Sequence, residues 1–171
     1  MPLRIRDALP SDASSLAAIS LEVWIGTYLR RGVNAFFADY ALREFTSEKF
    51  EAILGSVNDH LIVSENEDGI DGFIRLSFKS PAPSPSKTQT EIKTLYVQPR
   101  HHGKGIGKRL MQAALAICAA KDIETVWLAV NSENSAALEF YRTNGFVMTG
   151  QTHFRIDNQA YLKAVMECRT R

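Results

Sequence analysis

Apolar and polar positions alternate from the start of the chain. Leu3 to Ala8, LRIRDA, has the period of a short strand with one buried face. Pro10, Ser11 and Asp12 then offer turn and cap chemistry ahead of Leu16, Ile19, Val23 and Trp24, whose spacing builds one apolar face of a helix. A second helical region runs through NAFFADYAL and restarts after Thr46 and Ser47 with Phe50, Ile53 and Leu54. HLIVSE and DGFIRLSF are β-rich runs on either side of Asn66 to Ile70, where Asp68-Gly69 supplies hairpin chemistry, so the two should pair antiparallel.

KSPAPSPSKTQ is too rich in proline and serine to join a sheet and reads as a loop. TEIKTLYV is a strand, GKGIGKRLMQAALAICAAK a helix with Ile106, Leu110, Ala113, Ala114 and Ile117 on one face, and ETVWLAV a second strand. That order predicts a right-handed crossover joining two roughly parallel neighbours. Asn134 or Ser135 caps a short helix through Tyr141, and Asn144-Gly145 ends it. FVMTGQTHF and AYLKAVMEC form a closing hairpin around Ile156 to Gln159.

The 171 residues suit a single domain spanning 1–171. With 20 Lys+Arg against 19 Asp+Glu, the chain lacks the basic footprint of a nucleic-acid binder. No apolar run approaches the ~20 residues of a membrane span, and the opening MPLRIRDALPSD lacks a secretory apolar core, so a cytoplasmic protein without membrane or nucleic-acid partners is expected. Cys118 and Cys168 read as reduced core thiols rather than a disulfide.

One segment departs from this balance. The thirty residues from Ile92 to Lys121 contain no Asp or Glu, yet they carry Lys93, Arg100, Lys104, Lys108, Arg109 and Lys121. Gly103, Gly105 and Gly107 fall where the strand gives way to the helix. Unpaired amides and the positive end of the helix dipole meet there, and the absence of Cβ lets a ligand approach the backbone. These features describe a phosphate cradle. It is not a Walker loop, since Gly107-Lys108 is followed by Arg109 and the upstream glycine is missing; the dinucleotide fingerprint needs G-x-G-x-x-G where this run is G-x-G-x-G. The adjacent His101 and His102 point their rings apart, with no carboxylate or cysteine at ligand spacing, so no metal is expected.

Two motifs in sequence carry a resemblance. Arg100-His101-His102-Gly103-Lys104-Gly105 matches Gln/Arg-x-x-Gly-x-Gly/Ala, and Asn134, Ala137, Phe140, Tyr141 with Gly145-Phe146 matches Asn-x-x-Ala-x-x-Phe-Tyr followed by Gly-Phe. Together they resemble the GNAT family of acetyl-CoA-dependent N-acetyltransferases over roughly Thr90 to Thr149, with the opening strand and helix similar as well. Within the family, the loop and the closing hairpin look nearest a bacterial branch that includes polyamine acetyltransferases.

The resemblance implies an α/β (α+β) fold: a central, mixed, mostly antiparallel twisted sheet of six to seven strands flanked by about four helices, with strands four and five splayed around acetyl-CoA. By the same carry-over, Arg100, His102, Gly103, Lys104, Gly105, Ile106, Gly107 and Lys108 would hold the pyrophosphate of coenzyme A. Leu95 and Val97 would offer backbone groups to its pantetheine arm, and Asn134 and Tyr141 would touch the cofactor. Glu91, four residues before Leu95, stands where some members carry a catalytic glutamate, and Tyr141 is placed to protonate the departing thiolate.

The expected partners are acetyl-CoA and an amine acceptor, with the closing hairpin as a candidate homodimer edge. A cofactor-binding sensor with little chemistry is the alternative, and a pure binder would have no need of both Glu91 and Tyr141. Relay through a cysteine is disfavoured because neither thiol has a histidine near it in sequence. Trp24 and Tyr28 share a helix face that could be core or pocket wall. Glu22, Asp39, Glu44 and Glu48 are the acidic residues that a polyamine pocket on the early helices could use.

Overall fold

The computed structural model describes residues 3–171. In chain order the strands and α-helices are β1 (Arg4–Asp7), α1 (Ala13–Tyr28), α2 (Ala35–Glu44), α3 (Ser47–Leu54), β2 (Asp59–Asn66), β3 (Gly69–Ser77), β4 (Glu91–Val97), α4 (Ile106–Ala120), β5 (Thr125–Asn131), α5 (Ser135–Thr143), β6 (Val147–Ile156) and β7 (Gln159–Arg169). The seven strands lie in the order β1-β2-β3-β4-β5-β7-β6. β1 and β2, β5 and β7, and β6 and β7 pair antiparallel, while β4 and β5 are parallel, which gives the mixed sheet that the resemblance implied. β2 and β3 are joined by two residues, a connection only antiparallel neighbours allow. The β4–β5 register contains a single pair, Glu91 with Trp127, whereas β5 is paired with β7 along its whole length.

The chain forms two compact units, one of residues 3–75 with Thr94–Ala113 and the other of Leu76–Lys93 with Ala114–Arg171. In the first, Leu16, Ala17 and Ile19 of α1 pack with Phe50, Leu61, Val63 and Phe73. Phe73 meets Phe50 and Tyr96 edge-on, at 6.0 and 5.8 Å between centroids. Trp24 is buried at the centre of a second cluster, with Tyr28, Tyr40 and Phe37 at 4.7, 5.2 and 5.9 Å. It therefore belongs to the packing that fastens α2 to α1.

Local caps set the helix starts. Asn34 accepts from the Phe37 amide and Thr46 from the Lys49 amide, both at 3.2 Å, which is why helical periodicity breaks and restarts at Thr46. Asp12 departs from the expectation of a helix cap: it makes no cap bond to α1. Its carboxylate accepts instead from the Leu9 amide at 2.7 Å and from both terminal nitrogens of Arg6, at 2.8 and 3.2 Å. A bidentate guanidinium six residues away outcompetes the first-turn amides.

The second unit buries Val126, Leu128 and Val130 of β5 with Ala164 and Met166 of β7, Phe146, and Ala114 and Cys118 of α4. Asn134 caps α5 by accepting from the Ala137 amide at 3.1 Å. Gly145, at φ +93°, ends the helix, and the Phe146 amide returns to the Tyr141 carbonyl at 3.0 Å. Both cysteines are buried and unpaired with each other. No helix among the described residues is long and apolar enough to cross a membrane.

Candidate active site

The turn that enters α4 belongs to the first unit. Pro99–His101 makes one 3-10 turn, and the helix begins at Ile106, three residues later than its sequence pattern suggests. The cause is backbone conformation: Gly103 and Gly105 sit at φ +79° and +81°, a left-handed region that ends any helical run there. Neither glycine has an atom within 4 Å of the place a Cβ would take, so the backbone lies open on that side. The Arg109 amide, bonded to the Gly105 carbonyl at 3.1 Å, starts the helical ladder, and the amides of Ile106, Gly107 and Lys108 precede it without an intrahelical acceptor.

Side chains brace this turn from within the same unit. His102 Nε2 lies 3.0 Å from the Val97 carbonyl and Lys104 Nζ donates to His101 Nδ1 at 3.0 Å. Gln98 donates to Glu22 at 2.8 Å, and Arg100 lies 3.5 Å from the same carboxylate. Arg100 and His102, expected to touch phosphate, are both exposed, and each has one such partner in the turn's own unit. Lys104, Lys108 and Arg109 are exposed on the same turn. Leu95 and Val97 are half-buried on β4. Gly72 of β3 faces this region closely: a Cβ there would stand 3.0 Å from the Tyr96 carbonyl and 3.2 Å from Ile106. A pyrophosphate suits the donor set, because open left-handed glycines, unsatisfied amides and a helix dipole all favour an anion.

Glu91, Asn134 and Tyr141 belong to the second unit. Glu91 opens β4, half-buried, and its carboxylate accepts a short hydrogen bond from the Ser80 hydroxyl. Lys163 of β7 is charge-coupled to Glu91; burial holds its ammonium below the usual lysine range against that carboxylate's pull. Its Nζ stands 4.8 Å over the Phe154 ring. Tyr141 meets Phe140 and Phe146 edge-on, at 5.4 and 5.7 Å between centroids. Burial pushes its phenol up to about 12, so it keeps its proton at neutral pH. Since the Asn134 carbonyl oxygen serves the α5 cap, only its amide NH2 is available to a ligand. Burial lifts the Cys118 thiol to about 11, which removes the thiolate a relay would need.

Three residues of this unit escaped the sequence reading: Ser80, Ser84 and Glu167. The loop that holds the serines folds over the sheet. Its Ser80 carbonyl accepts from the Trp127 indole at 2.7 Å, and Thr88 donates to the Thr125 carbonyl at 2.6 Å. The available signal for Glu167 was only that it is the one carboxylate in the closing strand, since its parity is that of the charged Lys163 and Arg169. Of the acidic candidates on the early helices, Glu22 is bonded to Gln98, Glu44 pairs with Lys49 at 3.0 Å, and Asp39 and Glu48 are exposed.

Residues 27–146 match the model of the Acetyltransferase (GNAT) family. The chain belongs to that family. Membership makes it an acetyltransferase whose donor is acetyl-CoA. Family members similar to it include a spermidine N(1)-acetyltransferase of Thermoplasma acidophilum, 28% identical over 150 residues that span 85% of this chain and 89% of the relative. An uncharacterised N-acetyltransferase of Mycobacterium tuberculosis is 26% identical over 146 residues, 85% of this chain and 90% of the relative. Among solved structures, the PaiA N-acetyltransferase of Thermoplasma acidophilum in complex with coenzyme A superposes with a TM-score of 0.79 at 24% identity, covering 99% of both chains.

Proposed function

We propose that this family member transfers the acetyl group of acetyl-CoA directly to a primary amine while both are bound. The observation that carries the reading is the turn at Gly103–Lys108, an anion cradle of unpaired amides at a helix start. The amides of Gly103 to Lys108 would hold the pyrophosphate, with the exposed side chains of Arg100, His102, Lys104 and Lys108 adding donors and charge. Leu95 and Val97 would align the pantetheine arm through their backbone groups, and the Asn134 amide would make a further contact. The bound donor supplies an activated acetyl thioester.

An alkyl amine near pKa ~10.4 arrives mostly protonated and cannot attack until a base takes the proton. Glu91 fills that role, held in one orientation by the Ser80 hydroxyl. Tyr141, half-buried and protonated, would give its proton to the departing sulfur, and the Val97 amide would meet the charge that develops on the carbonyl oxygen. The name of the Thermoplasma relative supports an amine acceptor. The test is acetyl-CoA-dependent thiol release across a panel of amines, with coenzyme A binding measured by calorimetry on the same sample. Turnover on one amine class supports the enzyme, tight binding without turnover on any favours a sensor, and absence of binding overturns the cradle.

A further inference from the structure

Pairing registers place two carboxylates on one face of the sheet. Glu91 of β4 is opposite Trp127 of β5, and Trp127 is opposite Glu167 of β7. Residues directly opposite one another share a face, so the carboxylates flank the indole, roughly 10 Å apart at two strand spacings. The loop from residue 78 to 90 covers this row: Ser80 holds Glu91 and Trp127, and Ser84 Oγ lies 3.5 Å from Glu167 Oε2.

Glu167 is 7% exposed, and its Oε1 has no hydrogen-bond partner among the described residues. A buried carboxylate oxygen without a donor is costly and calls for one. Two cations share this strand face: Arg169, two residues on, is exposed and does not satisfy Oε1, and Lys163 lies over Phe154 and is drawn to Glu91 instead. One carboxylate and one hydroxyl make a poor metal site, since a divalent cation seeks six or more oxygens. They suit an ammonium, whose N–H donors can reach Oε1 and Ser84 Oγ together, while the indole between Glu167 and Glu91 offers an apolar track for a methylene linker.

We propose that Glu167 binds a second, still protonated nitrogen of the acceptor, which makes the substrate a diamine or polyamine whose other nitrogen is acetylated beside Glu91. The proposal rests on the reading that amine transfer occurs at Glu91. Entry of the ligand displaces the Ser84 contact, which at 3.5 Å is at the limit of a hydrogen bond.

The experiment compares 1,4-diaminobutane with 1-aminobutane on coenzyme A-saturated protein, by calorimetry and by kcat/KM, in the native chain and in Glu167→Gln. The native protein should prefer the diamine by about tenfold or more, as a charge-assisted hydrogen bond implies, and Glu167→Gln should bring the ratio towards one, mainly through KM. Coenzyme A binding reports that the variant is folded. Equal binding of both amines by the native protein, or a preference that survives in Glu167→Gln, overturns the assignment; should that variant not fold, the native ratio decides alone. Discrimination in binding with no turnover would overturn the catalytic reading and leave Glu167 standing, whereas turnover without discrimination would do the reverse.

Discussion

The turn at Gly103–Lys108 and the strand face carrying Glu91 and Glu167 are built from different materials. The turn presents backbone: two glycines at positive φ and amides at a helix start, with exposed basic side chains around them. On the face, the proposed roles fall to side chains brought together by register from β4, β5, β7 and a loop. A backbone site is written contiguously, because glycine and charge must sit within a few residues of one another. A side-chain site is scattered from Ser80 to Glu167 and exists only once distant strands pair.

The sharpest way to break this contrast is to remove the side chain that would do the chemistry. Glu91→Gln should lower kcat by about 10²–10³-fold with coenzyme A affinity nearly unchanged, the range expected for loss of a general base. Steady-state rates and calorimetry on one preparation check it, and near-native rates across pH would assign proton removal to water. The backbone site should respond in the opposite sense. Gly103→Val forces a β-branched residue to φ +79° and places its side chain in the open cradle, so coenzyme A binding should weaken by roughly 10–100-fold while kcat at saturation falls less. Unchanged affinity would remove the cradle assignment. Tyr141→Phe comes next: turnover should drop about tenfold with binding preserved, and a fully active variant would end the acid role.

How much of this the sequence discloses follows the same division. Every helix and strand has a readable signal, from the LRIRDA alternation to the Asn144-Gly145 stop, because local periodicity and caps decide element type. The glycine turn was legible for the reason just given, although its helix starts later than the apolar pattern suggests, since amphipathic spacing cannot report φ at Gly105. Strand order was not legible: nothing local states that β7 lies between β5 and β6. Glu91 was singled out because it stands four residues before Leu95, where some family members carry a catalytic glutamate, while Glu167 has no motif and shares its strand parity with Lys163 and Arg169, so alternation alone does not mark it. Residues 79–89 were read correctly as excluded from the sheet, which also leaves out Phe78 and Thr90, yet the loop's grip on Trp127 and Glu91 depends on tertiary contacts that proline content does not encode.

The smallest expected effect compares two buried carboxylates. Asp12 is fully supplied: Arg6 and the Leu9 amide hold its carboxyl below the usual range, and the same arginine bonds Glu65 at 2.9 Å. Because the folded state lowers that ionisation, the stability it confers is present above the unfolded value near ~3.9 and is lost as pH falls through the folded one. Asp12→Asn should therefore cost about 1–3 kcal/mol in urea unfolding at pH 7, and progressively less as pH falls below about 4. Glu167 lacks a donor for Oε1, so Glu167→Gln should leave the ligand-free protein within about 1 kcal/mol of native, or more stable, since it removes an unpaired buried charge. A large loss from Glu167→Gln, matching that of Asp12→Asn, would make Glu167 a structural residue and merge the two cases. Opposite behaviour would identify a carboxylate that is kept despite its cost to folding, because its partner arrives with the substrate.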